Sequence, residues 1–139
     1  MRIALVIISL VNFTAFSAVQ DTVDYWNIHL SDSLIFNYSW APEPDDKTIV
    51  LKLNELNDSE FLKAERISCG LPCWSCASIL VVKNESGKTV FESEQNNWTH
   101  KIPLNILSQA QTYTCHFQGG SDWDNLPSAY IFLYIKVEE

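Results

Sequence analysis

Leu107-Ser108-Gln109-Ala110-Gln111-Thr112-Tyr113-Thr114-Cys115-His116-Phe117 is the stretch that decides how this chain folds. A polar turn leads into Gln111 to Phe117, whose β-branched and aromatic residues mark a core strand. Tyr113 is placed to pin one layer of structure against another, and Cys115 to reach a sulfur partner. On the C-terminal side, Gly119-Gly120 and the polar run through Asn125 read as a loop, and Ala129 to Val137 as a further strand. On the N-terminal side, Thr99 to Leu104 reads as a strand. Ala77 to Val82 is a continuous apolar strand, and with Lys88 to Glu92 it makes a hairpin across Asn84-Glu85-Ser86-Gly87, the glycine supplying the turn.

The earlier part of the chain repeats the pattern. Ser33 to Trp40 alternates, with Leu34, Phe36, Tyr38 and Trp40 on one face and Ile35, Asn37 and Ser39 on the other. Pro42 and Pro44 break that strand, and Thr48 to Asn54 alternates again with Ile49, Leu51 and Leu53 together. Asn57 to Ile67 is the one helical candidate, carrying Phe61, Leu62 and Ile67 behind the acids Asp58 and Glu60. About eight short strands in one domain predict an all-β fold, a two-sheet sandwich or small barrel, with at most one short helix near residues 57–67.

The chain has 139 residues and a formal net charge of −8. Met1-Arg2, the apolar run Ile3 to Val11 and the small residues at Ala15-Phe16-Ser17 read as a signal peptide over residues 1–17. Residues 18–139 are then one domain with one core, destined for secretion. The apolar run is shorter than the ~20 residues that span a bilayer, so no transmembrane segment is expected. The acidic balance argues against nucleic acid or an anionic membrane as partner and favours a basic one.

Four cysteines, Cys69, Cys73, Cys76 and Cys115, predict two disulfides with three possible pairings. With Cys115 on a strand, its partner must lie within ~7 Å between Cα atoms, which points to the upstream cluster. One bridge is then long-range and the other local. Four sequons follow the signal, at Asn37, Asn57, Asn84 and Asn97, and predict an N-glycosylated protein.

The run Leu107 to Cys115 places a leucine six residues before a tyrosine and a cysteine two residues after it. It resembles the turn into strand F of immunoglobulin and fibronectin type III domains, where the tyrosine hydroxyl bonds back to the backbone. Ile79 to Asn84 with Gly87 to Val90 similarly resembles their C to C′ hairpin, and Ala129 to Glu139 stands where a G strand should. The resemblance covers residues 48–139 and implies an immunoglobulin-like sandwich with Thr48 to Asn54 as strand B. That segment has no cysteine and Ala77 to Val82 no tryptophan, so the family's cross-sheet disulfide and its packed tryptophan are absent. Tyr25-Trp26, Ser31-Asp32, Tyr38 and Thr112 to Cys115 are also similar to the lipid-recognition family of endotoxin co-receptors and lysosomal sterol carriers, although that family's terminal cysteines have no counterparts here.

Cys73-Trp74-Ser75-Cys76 has the spacing of a redox pair, but a strand former follows it where a thiolate-stabilising helix is needed, so a structural disulfide is expected. Zinc on the cysteines with His100 or His116 would need reduced thiols in an oxidising compartment. Asp122-Trp123-Asp124-Asn125 lacks the glycine and bidentate glutamate of an EF-hand and reads as a solvated loop. His29, His100 and His116 have no serine or carboxylate at a catalytic spacing. No enzyme activity, metal or cofactor is therefore expected. Along Tyr130 to Val137 one face is aliphatic and the other aromatic, so both need cover, and Trp123, Tyr130, Phe132 and Tyr134 are the expected contact surface. The expected function is binding of an extracellular protein partner. Carriage of a lipid between splayed sheets is the alternative.

Overall fold

Ten short strands follow one another along the chain, and the computed structural model describes them over residues 25–39, 44–68 and 71–139. The expected signal peptide, Trp40 and Cys69 lie outside the described residues. β1 (Tyr25–Leu30) and β2 (Ser33–Tyr38) form a hairpin. They are followed by β3 (Thr48–Lys52), β4 (Phe61–Ser68), β5 (Leu71–Pro72), β6 (Ala77–Lys83) and β7 (Thr89–Gln95). β8 (Thr99–Pro103), β9 (Thr112–Gly120) and β10 (Tyr130–Glu138) complete the set.

One sheet runs β2-β1-β4, and the far edge of β4 is shared by β8 along Phe61 to Glu65 and by β5 along Ile67 and Ser68. The other runs β3-β10-β9-β6-β7. Every pairing is antiparallel except that of β3 with β10. The result is the two-sheet, all-β sandwich that the alternation predicts, and helical geometry among the described residues is confined to 3-10 turns.

The inward faces meet in one core. Trp26 and Ile28 from β1, Leu62 and Ala64 from β4 and Ile102 from β8 pack against Leu80, Val82, Tyr113, Cys115, Phe117, Leu133 and Ile135 of the other sheet. Each large apolar side chain removed from water contributes about 1.5–3 kcal/mol. A polar tie also crosses the gap: the Tyr38 hydroxyl donates to the Phe132 carbonyl. At the edge of the second sheet, Lys47 Nζ, just before β3, donates to the Ile131 carbonyl of β10 at 2.9 Å. Burial is the main reason that the Tyr38 phenol is held above its ordinary pKa.

Four expectations need correction, each for a physical reason. The helical candidate at 57–67 contains β4 instead. Asp58 belongs to a turn in which the Glu60 amide donates to the Asn57 carbonyl at 2.9 Å, and Phe61 onward is flanked by partner strands on both sides. Pairing and burial of Leu62, Ala64 and Ile67 override the local helical spacing. Thr48–Lys52 does not lie beside β8, as a B strand would. It is the edge of the other sheet, parallel to β10, and β4 takes the place between β1 and β8.

Gly119 and Gly120 are not loop but the last pair of β9, opposite Ser78 and Ala77. The Phe117 ring folds over Gly119 so closely that a Cβ there would sit 2.4 Å from it, and a Cβ on Gly120 would meet the Asn125 carbonyl at 2.8 Å. Finally, Cys115 forms no disulfide with a described cysteine: it is a thiol with no solvent exposure. It stands opposite Val82, whereas Cys76 precedes the start of β6, six residues away and so about 20 Å along the strand. That distance is far beyond the ~7 Å a disulfide tolerates. Burial pushes the Cys115 thiol pKa up.

Candidate binding surface

Strand register sets which loops meet. Ala77 pairs with Gly120 and Ser78 with Gln95, so the turn 73–76, the connection 121–129 and the turn 96–98 all leave the second sheet at the same end. Within this loop end Cys73 and Cys76 are bridged, with their Cα atoms 5.8 Å apart, closing a four-residue ring. The ring holds Trp74 outward with 81% of its surface in water. An indole so exposed, on a covalently restrained turn, loses little freedom on meeting a partner.

Two further aromatic side chains share this end. Trp123 is 44% exposed and sits in a single 3-10 turn. Asp122 caps that turn, its Oδ1 accepting from the amides of Asp124 and Asn125 and from Asn125 Nδ2. Trp123 Nε1 donates to Asn96 Oδ1 at 3.1 Å, which ties the 121–129 connection to the 96–98 turn. Tyr130, 42% exposed, lies opposite Phe117 in register and meets its ring edge-on at 6.0 Å. Beneath them the Arg66 guanidinium lies over the Trp98 ring, 4.4 Å from its centroid, and 5.7 Å from that of Phe117.

Of the four residues expected to make contact, Trp123 and Tyr130 are at the loop end and exposed. Phe132 is not a surface residue. A bulge between Ile131 and Leu133 turns both Phe132 and Leu133 inward, and Phe132 is 1% exposed against Trp26. The bulge also places Ile131 opposite His116 on the outer face, away from Leu133 and Ile135. Tyr134 is half-buried on that outer face, opposite Thr114 and Thr48, and does not join Trp123. Trp74 is not among the expected contact residues, because the Cys-Trp-Ser-Cys spacing speaks only for its sulfurs. Its signal was a tryptophan inside a ring too small to bury it.

The expected glycosylation sites fall in two groups. Asn37 and Asn57 are exposed, while Asn84 and Asn97 are half-buried. Asn57 Oδ1 accepts from the amide and hydroxyl of Ser59, and Asn84 Oδ1 from the amide and hydroxyl of Ser86. Asn97 Oδ1 accepts from the Thr99 amide. These bonds run through the amide oxygen and not through the nitrogen to which a glycan attaches.

The histidines take separate roles. His100 is fully buried between the sheets, its Nε2 2.7 Å from Ser78 Oγ and its Nδ1 3.1 Å from Ser93 Oγ. Since the Ser78 hydroxyl donates to the Asn97 carbonyl, it accepts from His100 Nε2–H, which leaves Nδ1 to accept from Ser93. Burial lowers the His100 pKa to about 4, so the ring is neutral at physiological pH. His116 lies on the outer face with Nε2 3.0 Å from Thr114 Oγ1, and its pKa is lowered by burial and by Lys83.

A lipid carrier needs open space between the sheets. Here Trp26, Phe117 and Phe132 occupy that space in mutual ring contact. A cleft of about 190 Å3 lies toward the opposite end, lined by Leu30, Leu51, Leu56 and Leu104 with Lys52 and Glu60. It is smaller than the ~300–1,000 Å3 of sites that enclose a ligand. No helix among the described residues is long and apolar enough to cross a membrane. No family model, curated protein or solved structure matches this chain.

Proposed function

We propose that this chain is a secreted, N-glycosylated, immunoglobulin-like module that binds an extracellular protein partner through its loop end. The observation that carries the binding reading is Trp74, 81% exposed on a disulfide-closed ring at the end that also presents Trp123 and Tyr130. Tryptophan and tyrosine supply much of the energy of protein interfaces when a partner desolvates them. The immunoglobulin-like reading is supported by the order β3-β10-β9-β6-β7, by the β4–β8 pairing opposite it and by the Tyr113 hydroxyl. That hydroxyl donates to the Gln109 carbonyl at 3.3 Å, the return bond of a tyrosine corner. The Trp26–Phe132 stack stands in place of a cross-sheet disulfide with its packed tryptophan.

The test uses the full chain expressed in cultured animal cells. Recovery from the medium, with a mobility shift on N-glycosidase treatment, checks secretion and glycosylation. The wild type and a Trp74→Ala/Trp123→Ala variant are then used in parallel as baits in the native extracellular fluid. A partner retained by the wild type and lost by the folded variant supports this surface. Equal capture by both removes it.

A further inference from the structure

Charge is unevenly spread over the described residues: the end away from the loop end mixes its lysines with acids, among them Asp32, Glu55, Asp58, Glu60, Glu85 and Glu138, whereas at the loop end the acids have few cations beside them. Lys52, Lys83, Lys88 and Lys136 lie at the ends of β3, β6, β7 and β10 that face away from the loop end, and Lys63 and Lys101 pair in the corresponding half of the first sheet. The two cations nearer the loop end are engaged, Lys47 on the Ile131 carbonyl and Arg66 on the Trp98 ring. The acids there are exposed: Asp122 and Asp124 flank Trp123, Glu94 lies near the 96–98 turn, and Asp45 and Asp46 stand in the turn beside the start of β10. The exposed Trp74, Trp123 and Tyr130 rings therefore sit in a negative field.

Aromatic faces are themselves electron-rich and attract cations, guanidinium more readily than ammonium because it stacks flat on an indole. The protein uses this pairing directly beneath the surface, where Arg66 lies on Trp98. We infer that the loop end recognises an arginine-rich, cationic segment of its protein partner, with guanidinium groups on Trp74 and Trp123 and acids around them. This rests on the loop end being the contact surface.

The test titrates two synthetic peptides of equal length, one with glycine-spaced arginines and one with glutamates in their place, into the intact secreted protein. Binding is followed by tryptophan fluorescence and NMR shifts. Three variants are compared: Trp74→Ala, the near-end set Asp45→Asn/Asp46→Asn/Asp124→Asn, and the far-end set Glu55→Gln/Glu60→Gln/Glu138→Gln. Asp122 is left intact because it caps its turn. Circular dichroism identifies folded variants, and in the wild type the NMR shifts locate the peptide independently of any variant.

The expected result is binding of the arginine peptide alone, with shifts at the loop end. Trp74→Ala should weaken it about 3- to 10-fold and the near-end set at least 5-fold, while the far-end set changes it less than 2-fold. Equal weakening by the two charge-neutralised sets, or shifts elsewhere, overturns the inference. Failure of the arginine peptide to bind, while the native partner is still lost on Trp74→Ala/Trp123→Ala, overturns the cationic chemistry but keeps the surface. Capture of the native partner unaffected by that double variant overturns both.

Discussion

Trp26 and Phe132 stack across the sandwich with ring centroids 4.0 Å apart and planes 21° from parallel, one from the first strand of one sheet and the other from a bulge in the last strand of the second. Phe132→Ala should therefore cost about 3–5 kcal/mol of stability, the range for truncating a buried aromatic residue. Tyr130→Ala, two residues earlier and exposed, should stay within about 1 kcal/mol. Urea unfolding of both variants checks the bulge, because a strand with unbroken alternation would not give this contrast.

His100 makes stability depend on pH. Its folded pKa of about 4 lies below the ordinary 6.5, so the unfolded chain takes up the proton first. Stability is then highest above pH ~6.5 and falls as pH drops toward 4, by about 3 kcal/mol over the full window. His100→Gln should flatten this part of the profile while leaving the carboxylate region below it unchanged. Denaturation midpoints at pH 7, 5.5 and 4 measure the difference.

Tyr113 holds the turn before β9 through one oxygen, which donates to the Gln109 carbonyl and accepts from the Gln109 amide and Gln111 Nε2 at 3.2–3.3 Å. Tyr113→Phe keeps the buried ring and removes those bonds. The expected loss is about 1 kcal/mol, with faster amide exchange concentrated at Gln109 and Gln111. Uniform exchange changes across the sandwich would contradict a local role.

The thiol of Cys115 should resist modification in the native protein. It has no solvent exposure and its pKa is raised by burial, both of which suppress the reactive thiolate. Peptide mapping after iodoacetamide treatment should show Cys115 unlabelled in the folded protein and labelled in urea. Reduction of Cys73–Cys76 should cost at most about 2 kcal/mol, because so short a ring restrains the unfolded chain little.

Where one strand face is apolar, the sequence shows its structure plainly: the β6–β7 hairpin and its Gly87 at a φ of 79° stand where the Asn-Glu-Ser-Gly turn predicts them. β4 was hidden because the apolar residues of Phe61 to Ile67 also suit a helix, and because Arg66, a charged residue, faces inward opposite Trp26 to lie on Trp98. The bulge at Phe132 leaves no mark on the alternation of β10, so an aromatic residue destined for the core read as surface. Sulfur pairing is a property of three-dimensional separation, which spacing along the chain does not encode. The exposed ends of the site, Trp123 and Tyr130, were legible as aromatic residues without an obvious place in the core.

β10 pairs with β3 on one side and β9 on the other, and it follows both of them in the chain. Until that stretch has emerged from the ribosome, β3 has no neighbour in its sheet and Trp26 lacks its stacking surface. Partners about 85 residues apart, such as Thr48 and Tyr134, must find one another before the second sheet is complete. Synthesis therefore leaves the hydrophobic interior half-built until β10 has been made, and closing the sandwich waits for that strand.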